Sequence, residues 1–125
     1  MKKIYSLKGR NVFKEVFTRG KRFNREGVQL IVLKHDGGRK NLRRSAQSDE
    51  NASLVGISIG KSYGNAVQRN RAKRRIRAIA GELLPDLKEG YYIIVRPGIE
   101  FKKTGHDAAS ENIRCLFRKA GIVNV

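Results

Sequence analysis

Apolar residues recur along this chain with two periods and mark out six elements. From Asn11 to Gly20, Val12 pairs with Val16 and Phe13 with Phe17 at a spacing of four, which predicts a short helix with Gly20 as its left-handed stop. The two pairs point in different directions. Val28-Gln29-Leu30-Ile31-Val32-Leu33 is β-rich and nearly all apolar, and Leu54-Val55-Gly56-Ile57-Ser58-Ile59 alternates branched with small residues. Both read as strands, and the expectation is that they pair antiparallel. Between them, Lys34 to Ser53 is rich in Gly, Asn, Ser and Arg with Leu42 as its large apolar residue, and reads as a long loop.

Gly64-Asn65 opens a second helix with Asn65 as its N-cap, and Ala72, Ile76, Ile79, Ala80 and Leu83 recur at helical spacing as far as the break at Pro85. Tyr91-Tyr92-Ile93-Ile94-Val95 is a short apolar strand closed by Pro97-Gly98. Ala109, Ile113, Leu116, Phe117 and Ala120 then line one side of a third helix ending at Gly121. The order α-β-β-α-β-α predicts an α+β fold in which a small sheet is packed by three helices. A chain of 125 residues supports one hydrophobic core, so residues 1–125 are expected to form a single compact domain.

Charge narrows the class of partner. Lys and Arg number 28 against 11 Asp and Glu, a formal charge of +17, and so cationic a chain repels itself unless a polyanion screens it. Nucleic acid and an acidic membrane surface both fit that description. The longest apolar runs, Leu30 to Leu33 and Tyr91 to Val95, fall far short of the roughly 20 residues that span a bilayer, so no membrane role is expected. The basic stretch Met1 to Lys8 has no apolar segment behind it and Cys115 has no companion, which together predict a cytoplasmic protein.

The cations concentrate where the carboxylates are missing. No acidic residue occurs from Asn51 to Gly81, while Lys61, Arg69, Arg71, Lys73, Arg74, Arg75 and Arg77 all fall within that window. At ~100° per residue Lys73, Arg77, Arg74, Arg71 and Arg75 sweep around everything outside the Ala72, Ile76, Ile79, Leu83 stripe. Like charges four apart destabilise a bare helix, a penalty that bound phosphates remove. Arginine predominates here, which favours forked contacts to phosphate oxygens.

The run Lys61-Ser62-Tyr63-Gly64-Asn65-Ala66-Val67-Gln68-Arg69-Asn70-Arg71-Ala72-Lys73-Arg74 resembles the signature of bacterial ribonuclease P proteins, with Arg77 three residues further on. The likeness extends to Leu7, to Val12-Phe13-Lys14-Glu15-Val16-Phe17 with Gly20, and to Val55-Gly56-Ile57-Ser58. It departs at Ser62, where the family has a second Lys or Arg, and at Tyr63 and Ala72, where it has a branched aliphatic residue. The Lys34 to Ser53 connection is longer than the family's short hairpin. The resemblance implies a fold like the second domain of a small-subunit ribosomal protein, with a left-handed βαβ crossover against the usual right-handed rule. It implies a subunit that binds the catalytic RNA of ribonuclease P and the 5′ leader of precursor tRNA, assisting leader removal while the RNA, with its Mg²⁺, performs catalysis.

On that reading Lys61, Asn65, Arg69, Asn70, Arg71, Lys73, Arg74 and Arg77 face the catalytic RNA. Phe13, Phe17 and Lys14 line a leader-binding cleft, with Lys8, Arg10 and Arg19 nearby and Val28, Leu30 and Val32 as the opposing wall. Aromatic platforms mixed with cations suit single-stranded RNA, whose base faces are exposed. Helical spacing alone favours Phe13 and Phe17 as core residues, and it is the resemblance that turns them toward the cleft, with Val12 and Val16 as the core-facing pair. A structural RNA-binding protein of the ribosomal type is the alternative, and it needs neither open aromatics nor the Arg-Asn-Arg spacing.

A nuclease acting by itself needs groups that the pattern does not assemble. His35 in the loop and His106 before the last helix have no reason to meet, and a catalytic pair must reach one phosphate together. Asp36, Asp49 and Glu50 fall in the long loop, and no carboxylate cluster is spaced to hold two metal ions about 4 Å apart. No catalytic residue, bound metal or bound cofactor is therefore assigned to the protein.

Overall fold

The strands that carry apolar side chains on both faces take the middle of the sheet. A computed structural model describes residues 10–34, 53–88 and 90–123. The elements are α1 (Arg10–Arg19), β1 (Lys21–Arg25), β2 (Val28–Lys34), β3 (Leu54–Ile57), α2 (Ala66–Leu83), β4 (Tyr91–Pro97) and α3 (His106–Ala120), with 3₁₀ turns at Lys61–Tyr63, Leu84–Asp86 and Ile99–Lys103. Most of the long loop, with His35, Asp36, Leu42, Asp49 and Glu50, lies outside the described residues, as do Leu7, Lys8 and the Arg10 side chain.

The spatial order is β1-β2-β4-β3. β4 runs antiparallel to β2 and parallel to β3, so the expected pairing of Val28–Leu33 with Leu54–Ile59 does not form. β4 stands between them because it and β2 are the strands buried on both sides, and such strands need neighbours and cover on every flank. β3 is linked to β4 through α2, and a helical crossover delivers the next strand parallel.

The pattern of hydrophobic positions missed β1. Lys21-Arg22-Phe23-Asn24-Arg25 has one apolar residue, Phe23, which packs against the main core. Its cations suit an edge strand, since exposed charge discourages pairing with another chain. β1 and β2 are joined through Glu26 and Gly27, whose φ values of 45° and 83° give the double left-handed turn that a two-residue hairpin requires.

Each face of the sheet has its own cluster. On one, Val28, Leu30, Val32, Val55, Ile93 and Val95 pack against Ala72, Ile76, Ile79 and Leu83 of α2 and Ala109, Ile113, Leu116 and Phe117 of α3. The α2 stripe is the one expected from spacing, and each such Ile or Leu contributes about 1.5–3 kcal/mol by leaving water. On the opposite face, Val16 of α1 is fully buried against Ile31, Tyr92 and Ile94, with Val12, Phe13, Phe17, Leu33 and Leu54 around them.

Gly20 ends α1, but not as a left-handed cap, for it is absent from the positive-φ glycines. Its amide donates to the Val16 carbonyl at 2.8 Å as the chain turns straight into β1. A Cβ there would meet the Val16 carbonyl oxygen at 2.6 Å and Ile31 Cγ2 at 2.9 Å. The need is for close approach of helix end to sheet.

Candidate nucleic-acid interface

The cationic helix is anchored at its start by its own side chains. Asn65 Oδ1 accepts from the Gln68 amide at 2.9 Å, and the Asn65 amide donates to Gln68 Oε1 at 3.0 Å. This reciprocal capping box satisfies donors that a helix N-terminus otherwise leaves open. Asn65, expected to face RNA, thus spends its carbonyl oxygen on the cap.

Beyond the cap, Asn70, Arg71, Arg74 and Arg77 are exposed, Lys73 and Arg69 are half-buried, and Lys61 is exposed on the 3₁₀ turn before the helix. Arg69 Nε is buried with no hydrogen-bond partner among the described residues. Val67 is 73% exposed, an apolar spot on this otherwise polar surface.

Arg75 plays a different part from its neighbours. Its guanidinium donates to the carbonyls of Phe101 (3.2 Å) and Thr104 (2.6 Å) and lies over the Phe101 ring. It ties α2 to the Ile99–Lys103 turn. On that turn the Lys102 ammonium is 5.3 Å from the centre of the Tyr63 ring, and Lys102 and Lys103 are both exposed. Tyr63 is buried in the main core, and burial pushes its phenol above the ordinary value while Arg75 pulls the other way.

A second site opens beside α1. Phe13 and Phe17 are half-buried, with ring centres 6.5 Å apart and planes tilted by 44°, and Lys14 is exposed between them in sequence. Two guanidiniums flank Phe17, that of Arg22 at 5.7 Å from the ring centre and that of Arg96 at 6.0 Å. Arg22 donates to the Phe17 carbonyl at the end of α1 (2.5 Å) and to Gln29 Oε1 (3.4 Å), and Arg96 donates to Ser58 Oγ (3.3 Å).

The opposing wall differs from the expectation. Val28, Leu30 and Val32 point to the other face and are buried against α2 and α3. Strand alternation puts Gln29, Ile31 and Leu33 toward α1 instead. The apolar set of one parity completes the larger core, which leaves the parity containing Gln29, the polar residue in the strand's interior, on the α1 side.

The family model for ribonuclease P matches residues 1–121. The chain belongs to the ribonuclease P protein family. The "Ribonuclease P protein component" of Symbiobacterium thermophilum is 32% identical over 123 residues, covering 98% of this chain and 96% of that protein. That of Microcystis aeruginosa is 39% identical over 124 residues, covering 97% and 94%. Among solved structures, the RNase P protein of Staphylococcus aureus superposes with a TM-score of 0.78 at 21% identity, covering 98% of this chain and all of that one. The protein of Thermotoga maritima gives 0.71 at 24% identity, covering 90% and 96%. These two likenesses establish the fold.

Within this chain the departures from the signature have simple physical outlets. Tyr63 and Ala72 are both buried in the main core, where a larger and a smaller residue than the family's aliphatics fill the space beneath α2. Ser62 is exposed. Sequence reasoning missed Arg22, Arg96 and Ser58 in the cleft. Gln29 was the available signal, because one polar residue inside an apolar strand marks the face that is not fully covered. Among the described residues, no three His, Cys, Asp or Glu side chains are grouped to hold a metal ion, and no helix is long and apolar enough to cross a membrane.

Proposed function

We propose that this protein binds the catalytic RNA of ribonuclease P through the cationic face of α2 and the 5′ leader of precursor tRNA through the cleft between α1 and the sheet, and so assists leader removal in the cytoplasm. The observation that carries the reading is Phe17, a half-open aromatic ring flanked by two arginines. Stacking on a ring and charge neutralisation beside it are the two interactions that hold single-stranded RNA regardless of sequence. A ribosomal-type structural protein has no need of such a ring at a cleft.

On this reading α2 is a phosphate-binding surface. Arg69, Arg71, Lys73, Arg74 and Arg77 lack carboxylate neighbours along the helix until Glu82, which is engaged by Arg114 of α3 at 3.0 Å. Phosphates relieve the repulsion among them. The leader is present in the precursor and absent from the mature product, so contacts in the cleft favour substrate over product. Bond cleavage, with its Mg²⁺, belongs to the RNA.

The deciding experiment is precursor cleavage by the isolated chain, by the cognate RNA, and by both together. The expected result is no cleavage by protein alone, with tighter precursor binding and faster cleavage when the protein joins the RNA. Robust cleavage by the protein alone overturns the proposal.

A further inference from the structure

Lys102 rests on an aromatic ring where a surface lysine more often meets a carboxylate. Its ammonium lies 5.3 Å from the centre of the ring of Tyr63, which is buried in the main core at the 3₁₀ turn leading into α2. A ring attracts a cation through its quadrupole and leaves the charge uncancelled, whereas a carboxylate neutralises it. The ion pairs among the described residues are Arg19–Glu15, Arg114–Glu82 and Arg118–Glu111, so neither Lys102 nor the adjacent Lys103 is in one. Glu100, the carboxylate of the same turn, lays its side chain over Gly27 of the β1–β2 hairpin instead.

The turn that carries these lysines is firmly held. The Phe101 amide donates to the Gly98 carbonyl at 3.0 Å, the Thr104 amide to the Phe101 carbonyl at 3.1 Å, and Thr104 Oγ1 to the Glu100 carbonyl at 3.0 Å. Phe101 is fully buried, and Arg75 ties the turn to α2. Cations placed in advance lose less freedom when a ligand arrives. Arg71 precedes Arg75 by four residues and so lies on the same flank of α2, the flank tied to the turn. Arg71, Lys102 and Lys103 are all exposed. Tyr63 and Phe101 both belong to the cluster between the sheet and α2 and α3, on the face opposite the α1 cleft.

We propose that Lys102 and Lys103 hold phosphates of the catalytic RNA, so that its interface runs from α2 across the Ile99–Lys103 turn. This rests on the reading of α2 above. Two exposed ammoniums without carboxylates suit a polyphosphate backbone, which needs point charges and no fixed donor pattern. The position on the α2 face assigns them to the catalytic RNA and not to the leader.

The test measures binding of the full chain to the cognate ribonuclease P RNA. Lys102→Gln with Lys103→Gln is expected to weaken binding at about 0.15 M salt by roughly 10- to 30-fold, the counterion release of two phosphate contacts. Lys102→Arg with Lys103→Arg keeps both charges and is expected to bind as wild type. Lys21→Gln with Lys119→Gln removes the same charge from β1 and the last turn of α3, and is expected to leave affinity nearly unchanged. All four lysines are exposed, so both glutamine pairs are expected to melt with wild type. In reconstituted holoenzyme the preference for precursor over mature tRNA is expected to survive the Lys102 and Lys103 substitutions. Unchanged affinity of the Lys102 and Lys103 glutamine pair overturns the proposal. So does an equal loss in the Lys21 and Lys119 pair, which makes the effect one of net charge, or a loss confined to precursor tRNA, which makes the leader the ligand. If Arg71→Ala with Arg74→Ala weakens RNA binding and the turn variant does not, only the turn is lost; if neither weakens it, the α2 reading falls as well.

Discussion

The Arg75 guanidinium carbon sits 4.5 Å from the centre of the Phe101 ring, and Arg75 Nη1 donates to the carbonyl of that same residue. One arginine in a strongly basic helix is thereby taken out of the phosphate-binding set and used to hold the Ile99–Lys103 turn against α2. Arg75→Ala takes a side-chain donor from the Thr104 and Phe101 carbonyls, leaving the Phe101 oxygen with the Thr104 amide, and uncovers the face of a fully buried phenylalanine. The expected cost is about 1–3 kcal/mol of stability. A thermal or urea melt of the variant checks this, and its RNA affinity is expected to keep the wild-type dependence on salt.

That salt dependence is the second prediction. With Arg75 set aside, Lys61, Arg69, Arg71, Lys73, Arg74 and Arg77 remain available to phosphates. If these meet about six phosphates, the logarithm of affinity for the catalytic RNA falls with the logarithm of salt at a slope of roughly minus four to minus five. Replacing Arg71 and Arg74 together with alanine is expected to make the slope shallower by about two units. Both side chains are exposed and lie off the buried stripe, so the melting temperature is expected to stay near wild type. A slope near zero for the wild type refutes the polyelectrolyte argument.

How far these sites could be read from sequence depended on whether one element or several define them. The α2 stripe, Ala72, Ile76, Ile79, Ala80 and Leu83, is a property of one helix, and spacing identified every member. The orientation of β2 is not, because its residues are apolar on both sides and only the helices packed above and below decide which parity faces which. Gln29 carried the answer, but one polar residue is a weak vote against Val28, Leu30 and Val32. β1 escaped because an edge strand needs just one apolar residue. The role of Arg75 depends on Phe101 and Thr104, distant in sequence, and no local pattern distinguishes it from Arg74.

A third prediction concerns alkaline pH. Burial raises the Tyr63 pKa above its ordinary value of about 10, with Arg75 opposing. The folded chain therefore holds this proton where the unfolded chain has already lost it. The stability it contributes is complete below about pH 10 and is lost as pH rises through the raised folded value. Tyr63→Phe removes this titration. The variant is expected to lose less stability than wild type between about pH 9 and pH 11, measured as urea midpoints across that range. An identical fall in both proteins shows that Tyr63 does not contribute to the alkaline limb.

The last prediction separates an RNA platform from a core residue at Phe17. Val16, next to it in α1, is fully buried, whereas Phe17 is half-buried with Arg22 and Arg96 against its ring. A fully buried phenylalanine costs about 3–5 kcal/mol of stability when cut to alanine, and that loss harms every ligand alike. A stacking platform costs about 1–3 kcal/mol of binding for the base it holds, and only where a base is present. Phe17→Ala is therefore expected to weaken precursor tRNA binding to the holoenzyme by roughly 5- to 150-fold while mature tRNA, which has no leader, binds almost as before. Val16→Ala serves as the structural comparison, expected to lower the melting temperature with no selective loss of precursor. Titration of both variants with both RNAs, beside melts of the protein alone, distinguishes the two roles. Equal loss for precursor and mature tRNA, accompanied by a large fall in melting temperature, would make Phe17 part of the α1 core and remove the platform on which the cleft depends.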